Sequence, residues 1–246
     1  MVNSNPGKIN STALEAENIC KSFASKEVLK GISFKVGASD GVCIYGSNAS
    51  GKTTLLRILA GVLHAYDGTV KIKGWDIKKS TEKTLPMIGV ISHTTMMYPQ
   101  LTVEENLNFF ADIYNISDKK ERVTEIIENL NLSVFRYDVV SSLSRGTKQR
   151  LAIGRAILHK PAVLLADEPF TGLDSKSSKE FIDIINEFKK TGGALVLTSH
   201  IIELAAACCE KIAVLADGKL TAQANIGDID VKSFCEDYQP GAKVKI

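Results

Sequence analysis

The sequence predicts an α/β fold, with a mixed β-sheet flanked by helices, an antiparallel β subdomain and an inserted helical subdomain. The first reason is that short apolar runs at 42–45, 162–166 and 194–198 are typical of buried strands. Segments with helical spacing follow the first two runs, and strands that alternate with helices form parallel sheets with right-handed crossovers. These three runs are therefore expected in the parallel part of the sheet.

Two further patterns predict the subdomains. In the N-terminal third, apolar and polar residues alternate at 32–36 and 70–73, which is typical of antiparallel strands. Residues 102–141 instead have helical spacing, and Thr102 with Glu105 matches a capping box that would begin the first helix. We therefore expect an antiparallel sheet beside the core and a group of helices inserted into it.

The length and composition are those of an ordinary globular protein. The chain has 246 residues, of which 44% are hydrophobic and 24% are charged, and its net charge is +2. Because this charge is nearly balanced, the composition gives no reason to expect a nucleic-acid partner. We expect a tail at 1–12, a folded domain at 13–232 with the helical subdomain at about 92–150, and a second tail at 233–246.

Cysteine usage and hydropathy indicate a cytoplasmic protein. None of the five cysteines has C-x-x-C spacing; Cys43 is expected in a core strand, and Cys208 and Cys209 within an Ala-rich helix. Buried free thiols are therefore expected rather than a metal site or a disulfide. No apolar run approaches the roughly 18–20 residues of a membrane span, and residues 1–12 lack the apolar segment of a signal peptide.

Residues 46–53 match the phosphate-binding pattern G-x-x-x-x-G-K-[ST], between the apolar run at 42–45 and the helical spacing of 54–60. A strand, loop and helix in this order place backbone N–H groups and a positive helix end around one anionic ligand. Lys52 would reach the β- and γ-phosphates of ATP, and the Thr53 hydroxyl would ligate Mg²⁺. The alternative, a Gly-rich turn before a surface helix, is disfavoured by the flanking pattern. The sequence thus predicts a P-loop NTPase core, with nucleotide contacts from Gly46, Ser47, Asn48, Ala49, Ser50, Gly51, Lys52, Thr53 and Thr54.

Two acidic residues end another buried strand. Asp167 and Glu168 follow the apolar residues 164–166, and carboxylates at such a place are costly unless they serve a cation or hydrogen bonds. Asp167 is placed to hold Mg²⁺ through water, and Glu168 to polarise an attacking water as a general base. Solvent-exposed acids at a strand end are the alternative. With the phosphate loop upstream, we expect hydrolysis of Mg-ATP, with Lys52 among the catalytic residues.

Five motifs in order along the chain resemble those of the ABC-type ATPases. They are the phosphate loop at 46–53, the signature Leu-Ser-Arg-Gly-Thr at 143–147, Asp-Glu-Pro at 167–169, Gly-Leu-Asp at 172–174 and Thr-Ser-His at 198–200. The resemblance covers roughly residues 13 to 225 and implies that 13–232 is an ABC-type nucleotide-binding domain. It also implies a dimer, in which the signature of one subunit faces the ATP bound by the other.

The resemblance implies roles for further residues. Ser144 and Gly146 would approach the partner's γ-phosphate through a hydroxyl and through backbone N–H groups at a helix N-terminus. His200 would act at the γ-phosphate or the attacking water as a catalytic residue. Asp174 would lie at the dimer interface and couple the two sites. Phe23 would stack on adenine. A surface histidine and a plain core aromatic are the alternatives for His200 and Phe23.

His93 occupies a position at which the family usually has Gln. That Gln touches Mg²⁺ or water and signals to the membrane subunit. Imidazole suits Mg²⁺ poorly compared with oxygen, so we expect His93 to keep a sensing role rather than a ligand role. His93 together with 98–107 resembles the ATPase subunits of bacterial haem exporters in cytochrome c maturation, and also those of two-component drug or polysaccharide exporters.

The resemblance implies the ATPase subunit of a membrane transporter, and specifically of an exporter. Such a subunit binds ATP and Mg²⁺, dimerises with a second ATPase subunit as a homodimer or heterodimer, and drives a separate transmembrane permease subunit. It would be cytoplasmic, held at the inner face of the membrane by the permease, on which residues 92–150 would dock. The alternatives are a soluble ABC-type ATPase that acts as an assembly scaffold, as in iron–sulfur cluster biogenesis, and a nucleotide-binding module without turnover. Glu168 and His200 disfavour the last of these.

Overall fold

The computed structural model describes residues 12–92 and 96–237, which form two sheets and eight α-helices. The strands are β1 (Thr12–Phe23), β2 (Lys26–Gly37), β3 (Gly41–Tyr45), β4 (Asp67–Ile72), β5 (Trp75–Asp76), β6 (Ile88–Ile91), β7 (Val163–Asp167), β8 (Ala194–Ser199), β9 (Lys211–Ala216) and β10 (Lys219–Asn225). The α-helices are α1 (Lys52–Leu59), α2 (Thr81–Thr84), α3 (Val103–Ile113), α4 (Lys119–Asn129), α5 (Arg145–Ile157), α6 (Ser175–Lys190), α7 (Ile202–Ala206) and α8 (Val231–Asp237). Within these residues, the helices are all too short or too polar to cross a membrane.

The larger sheet has six strands in the order β10-β9-β3-β8-β7-β6. Its strands are parallel except β10, which pairs antiparallel with β9. Every residue of β3, β7 and β8 is buried, which explains why their sequences are apolar runs rather than alternating patterns. The predicted mixed sheet is confirmed. Because β3, β7 and β8 are adjacent and parallel, their carboxyl ends meet at one edge of the sheet.

The smaller sheet is antiparallel, in the order β2-β1-β4-β5, and confirms the predicted β subdomain. Its buried side chains pack with those of α1 in one cluster, which includes Leu14, Ile32, Phe34, Leu55, Ile58, Val70 and Ile72. Gly51 at the start of α1 lies so close to Val28 and Leu29 of β2 that a Cβ at this position would touch both. This packing brings the β1–β2 hairpin beside the phosphate loop.

The inserted helices α3 and α4 pack on α5 around a separate apolar cluster, which includes Val103, Leu107, Val123, Ile127 and Leu151. The predicted capping box is confirmed, since Thr102 Oγ1 accepts from Glu105 N at 3.2 Å and Glu105 Oε2 accepts from Thr102 N at 2.8 Å. A Cβ at Gly154 of α5 would overlap with the side chains of Ile126 and Leu130, so glycine lets α4 and α5 approach closely. On its other side α5 buries Ile153 against the larger sheet. Helix α5 therefore joins the helical subdomain to the core.

The prediction that Cys208 and Cys209 lie within a helix is wrong. Helix α7 ends at Ala206, and both cysteines follow it, with their N–H groups donating to Ala205 O at 3.1 and 3.0 Å. The helix ends there because the chain turns to pair Glu210 with Gly41, whose N–H donates to Glu210 Oε2 at 2.6 Å. Both cysteines and Cys43 of β3 are buried as expected, and none of the three is in a disulfide, whereas Cys20 is only partly buried.

Helix α8 spans the predicted boundary between the domain and the tail at residue 232, and Phe234 packs against the apolar cluster of the larger sheet. Composition did not indicate this contact, because half of the residues in the segment 226–237 are polar or charged.

His159 joins the end of α5 to the helical subdomain. Its ring stacks on Tyr114 with centroids 3.9 Å apart, and Nε2 lies 3.1 Å from Ile88 O on β6. Burial lowers the pKa of His159 to about 4, and the charges of Arg155 and Arg122 act in the same direction, while the hydrogen bond to Ile88 opposes them. The folded chain therefore holds this imidazole neutral.

We expect this histidine to weaken the fold in acid. The unfolded chain binds the proton near pH 6.5 and the folded chain near pH 4, so stability falls as the pH decreases through that window. The loss from this group would be up to about 3 kcal/mol. Urea unfolding of wild type and His159→Gln at several pH values measures it, with the exposed His64→Gln as the control. Equal pH dependence in wild type and His159→Gln would contradict the assignment.

Candidate nucleotide site

The phosphate loop runs from the carboxyl end of β3 to the first turn of α1. Backbone conformations that favour glycine occur at Gly51, with φ of 109°, and also at Ala49, with φ of 65°. A Cβ at Gly46 would collide with the carbonyl oxygen of Leu215 on β9. Because the first N–H groups of a helix have no partner within it, the loop and α1 together present backbone donors to an anion.

Lys52 is buried beneath this loop, and its ammonium group is held from three sides. Nζ donates to Gly46 O at 2.7 Å and to Ser47 O at 3.0 Å, and it lies 3.2 Å from Glu168 Oε1. The hydroxyl of Ser50 is buried in the same loop and has no hydrogen-bond partner among the described residues. A buried lysine and an unpartnered hydroxyl are suited to receive phosphate oxygens.

Asp167 lies at the carboxyl end of β7, where both its carboxylate oxygens are hydrogen-bonded. Oδ2 accepts from Thr53 Oγ1 at 2.9 Å, and Oδ1 accepts from Thr198 Oγ1 at 2.7 Å. The β7–β8 register places Asp167 directly opposite Thr198. The two residues proposed for Mg²⁺, Thr53 and Asp167, are therefore brought together, and Thr198 holds the carboxylate in place.

Glu168 lies between Lys52 and His200. Its Oε2 is 2.7 Å from His200 Nδ1 and accepts from His200 N at 3.3 Å, while Oε1 forms the ion pair with Lys52. Its backbone adopts a φ of 48°, which is uncommon for a residue other than glycine. Two hydrogen bonds from Glu168 N to Thr198, at 3.1 Å to Oγ1 and 3.2 Å to O, hold this turn. This role of Thr198 is not predicted by the sequence, because it depends on the pairing of β7 with β8.

The signature lies at the N-terminus of α5. Ser144 is its N-cap, with Oγ accepting from Thr147 N at 3.2 Å, and its side chain is exposed. Gly146 is packed so tightly against Ser177 of α6 that a Cβ would overlap with the Ser177 hydroxyl. In the part of the chain that the structure describes, Ser144 and Gly146 make no hydrogen bond or ion pair with the phosphate loop. The structure therefore does not bring the signature and the phosphate loop of one chain together.

Phe23 ends β1 in the hairpin beside the phosphate loop, with 48% of its surface exposed. The ammonium group of Lys21 lies 4.6 Å from the centre of its ring and donates to Ala65 O at 2.5 Å. An exposed aromatic ring here is available for stacking, unlike the core phenylalanine that was the alternative. His93 lies outside the described residues.

Comparison with known proteins identifies the family. The family described as "ABC transporter" matches residues 29–171, more than half of the chain. The chain belongs to the ABC transporter ATP-binding family. Of its relatives, the linearmycin resistance ATP-binding protein LnrL of Bacillus subtilis (strain 168) is 32% identical over 211 residues, which cover 85% of this chain and 68% of that protein. The ABC transporter ATP-binding protein YdbJ of the same organism is 36% identical over 219 residues, covering 88% and 70%.

Solved ABC ATPase structures share the fold. An ATP-binding cassette in its ADP conformation superposes with a TM-score of 0.81 at 27% identity, covering 92% of this chain and 95% of that one. A dimeric ATP-binding cassette in a post-hydrolysis state with ADP and Pi superposes with a TM-score of 0.77 at 25% identity, covering 87% of this chain and 98% of that one. This chain is thus an ATP-binding and ATP-hydrolysing ABC subunit, and subunits of this family dimerise and work with membrane subunits.

Proposed function

We propose that this subunit hydrolyses Mg-ATP at two sites, each formed by the phosphate loop of one chain and the signature of another, and thereby drives a membrane permease. The observation that carries the proposal is the convergence of Lys52, Asp167, Glu168 and His200 at the carboxyl ends of three adjacent strands. Fixed side chains, rather than mobile water, would stabilise the charge that develops on the phosphate oxygens there. Such stabilisation is the main requirement of phosphoryl transfer.

The residues at this edge fit a magnesium ion. Thr53 offers a hydroxyl oxygen 2.9 Å from Asp167 Oδ2, and Mg²⁺ prefers such oxygen ligands. Bound there, Mg²⁺ would neutralise the developing charge on the β- and γ-phosphates. Thr53 would ligate it directly, and Asp167 would hold it through water. Thr198 keeps the Asp167 carboxylate oriented toward this position.

Three side chains act on the phosphate and the water. Lys52 would reach the β- and γ-phosphates with an ammonium group that the loop already confines. Glu168 would accept the proton of the attacking water as a general base. His200 lies 2.7 Å from Glu168 Oε2, so it would orient that carboxylate and contact the γ-phosphate or the water. The contacts of Glu168 with both neighbours support its place beside the reacting atoms.

The remaining nucleotide contacts would come from both chains. The partner's Ser144 and Gly146 would close on the γ-phosphate with a hydroxyl and with N–H groups of α5, and the exposure of Ser144 supports this. Phe23 would stack on adenine. His93 would sense the water at the nucleotide site rather than ligate Mg²⁺. The domain limits proposed from the sequence, 13–232 with helices at 92–150, accommodate all of these roles.

An exposed apolar surface supports docking of the helical subdomain on the permease. Tyr98, Phe109 and Phe110 form an aromatic group, with Tyr98 and Phe109 centroids 4.8 Å apart, and Met96 and Ile113 are more than half exposed. Exposed apolar groups of this kind mark interaction surfaces. The subunit would be cytoplasmic and peripheral on the membrane. One relative is named for linearmycin resistance and another as a probable multidrug transporter protein, which favours an exporter.

The docking proposal is tested with the double variant Phe109→Ser, Ile113→Ser. We expect basal ATPase activity to stay within twofold of wild type, while binding to the proposed permease subunit falls by about tenfold or more. Co-purification from membranes and stimulation of the ATPase rate measure this. The control is Trp75→Ser, an exposed aromatic residue of β5 in the other subdomain. Unchanged co-purification would contradict the docking surface; association with soluble proteins alone would favour the assembly-scaffold alternative.

A further inference from the structure

The side chain of Arg145 connects the signature to the loop that follows Glu168. Its Nη2 donates to the carbonyl oxygen of Thr171 at 2.5 Å. Both residues are exposed, and the donor is charged, which makes the hydrogen bond stronger than one between neutral groups. The loop it holds, residues 169–174, runs from Glu168 to the N-cap of α6.

The 169–174 loop leaves space for this guanidinium group. Gly172 has a φ of 71°, and a Cβ there would overlap with the Arg145 side chain. The backbone conformation favours glycine, and the missing side chain leaves room for the guanidinium group as it lies here. A second side chain of α5 contacts the same loop, since Gln149 Nε2 donates to Pro169 O at 3.2 Å. Two side chains of α5 thus contact this short loop, at its first residue and near its middle.

The same loop is joined directly to Glu168. Thr171 N donates to Glu168 O at 3.2 Å, so the peptide groups of one residue, Thr171, link Arg145 on one side to Glu168 on the other. Phe170 is buried and packs edge-on against Phe181 of α6 with centroids 5.1 Å apart, which limits how far the loop can deform. A displacement of the α5 N-terminus would therefore be passed to the backbone of Glu168.

We propose that Arg145 is a positioning residue that couples the two ATP sites of the dimer, by transmitting closure of the signature on the partner's nucleotide to Glu168 in its own chain. This inference rests on the proposed shared-site dimer, because only there do the signature and Glu168 of one chain serve different nucleotides. Arg145 touches no phosphate in this role. Its effect passes through Thr171 to the general base.

The alternative role for an arginine in the signature is a direct contact with the partner's phosphate. The two roles differ in what they change. Loss of a phosphate contact would weaken nucleotide binding and raise KM. Loss of a link to Glu168 would instead lower kcat and leave KM unaltered. Loss of the link would also increase the mobility of the 169–174 loop in a single chain, with no partner present.

Arg145→Gly and Arg145→Lys distinguish these roles in the full-length chain. The matched control is Lys148→Ala, which removes another basic side chain of α5 that donates to a backbone carbonyl, Ser141 O at 3.0 Å, away from the 169–174 loop. We expect Arg145→Gly to increase amide exchange at 170–173 about fivefold in the nucleotide-free monomer. We also expect kcat to fall about tenfold with KM within twofold of wild type. Arg145→Lys should recover part of kcat, and Lys148→Ala should resemble wild type in both measurements.

Three results would overturn the inference: unchanged exchange at 170–173, a raised KM at normal kcat, or raised exchange without any loss of kcat. Failure of the proposed function itself would look different, since the unaltered chain would then hydrolyse no ATP.

Discussion

Glu168→Gln is expected to abolish most ATP turnover, by about a hundredfold or more, while ATP binding is retained. Glutamine keeps the shape of the side chain and can still contact Lys52 and His200, but it cannot accept the proton of the attacking water. The loss of the negative charge 3.2 Å from Lys52 Nζ also leaves that ammonium group free to bind phosphate. With hydrolysis blocked, two chains should accumulate as a dimer held by ATP.

The measurements are the ATPase rate and the mass in solution with Mg-ATP. The control is Glu203→Gln, which removes an exposed carboxylate from α7 just beyond His200 without touching the site. A Glu168→Gln variant that hydrolyses ATP at nearly the wild-type rate would remove Glu168 from the catalytic role. A variant that neither hydrolyses ATP nor dimerises would contradict the view that ATP itself holds the two chains together.

Lys52→Ala and Ser144→Arg are both expected to abolish activity, but for different reasons. Lys52 is buried in the phosphate loop, so its removal deletes a charge-assisted contact within the same chain and should lower nucleotide affinity at least about tenfold. Ser144 is exposed at the start of α5, so an arginine there would obstruct the partner's γ-phosphate and leave the affinity of a monomer nearly unchanged.

Nucleotide titration at concentrations where the chains are monomeric separates the two effects. Ser144 also caps α5 through Thr147 N, so the melting temperature of Ser144→Arg must be compared with that of Ser144→Asp, which preserves a capping group. An equal loss of nucleotide affinity in Lys52→Ala and Ser144→Arg, at unchanged melting temperature, would contradict the shared-site arrangement.

The sequence predicted those parts of the site that are formed by residues next to one another in the chain. The phosphate loop follows β3 and precedes α1 as expected, and Asp167 and Glu168 end β7 as expected, because strand, loop and helix are local patterns. Both acids meet the phosphate loop because the strands of a parallel sheet have their carboxyl ends at the same edge. The capping box at Thr102 is local in the same way.

The contacts that the sequence did not predict depend on pairing between distant segments. Thr198 holds Asp167 and Glu168 only because β7 and β8 pair in one register. Arg145 reaches Thr171 because α5 and the 169–174 loop are brought together by the core. Helix α7 ends early because Glu210 pairs with Gly41, a residue far away in the sequence. Local spacing carries no information on such contacts.

Complementation between two inactive chains tests the shared-site claim most directly. Both chains carry Glu168→Gln so that bound ATP is retained; one also carries Lys52→Ala and the other Ser144→Arg. In a mixed dimer, one site has both defects, while the other combines an intact phosphate loop with an intact signature. Sedimentation with Mg-ATP should therefore show monomers for each chain alone, and for the mixture a dimer that holds one ATP per two chains. A mixture that remains monomeric, or a Ser144→Arg chain that dimerises alone, would contradict the shared site.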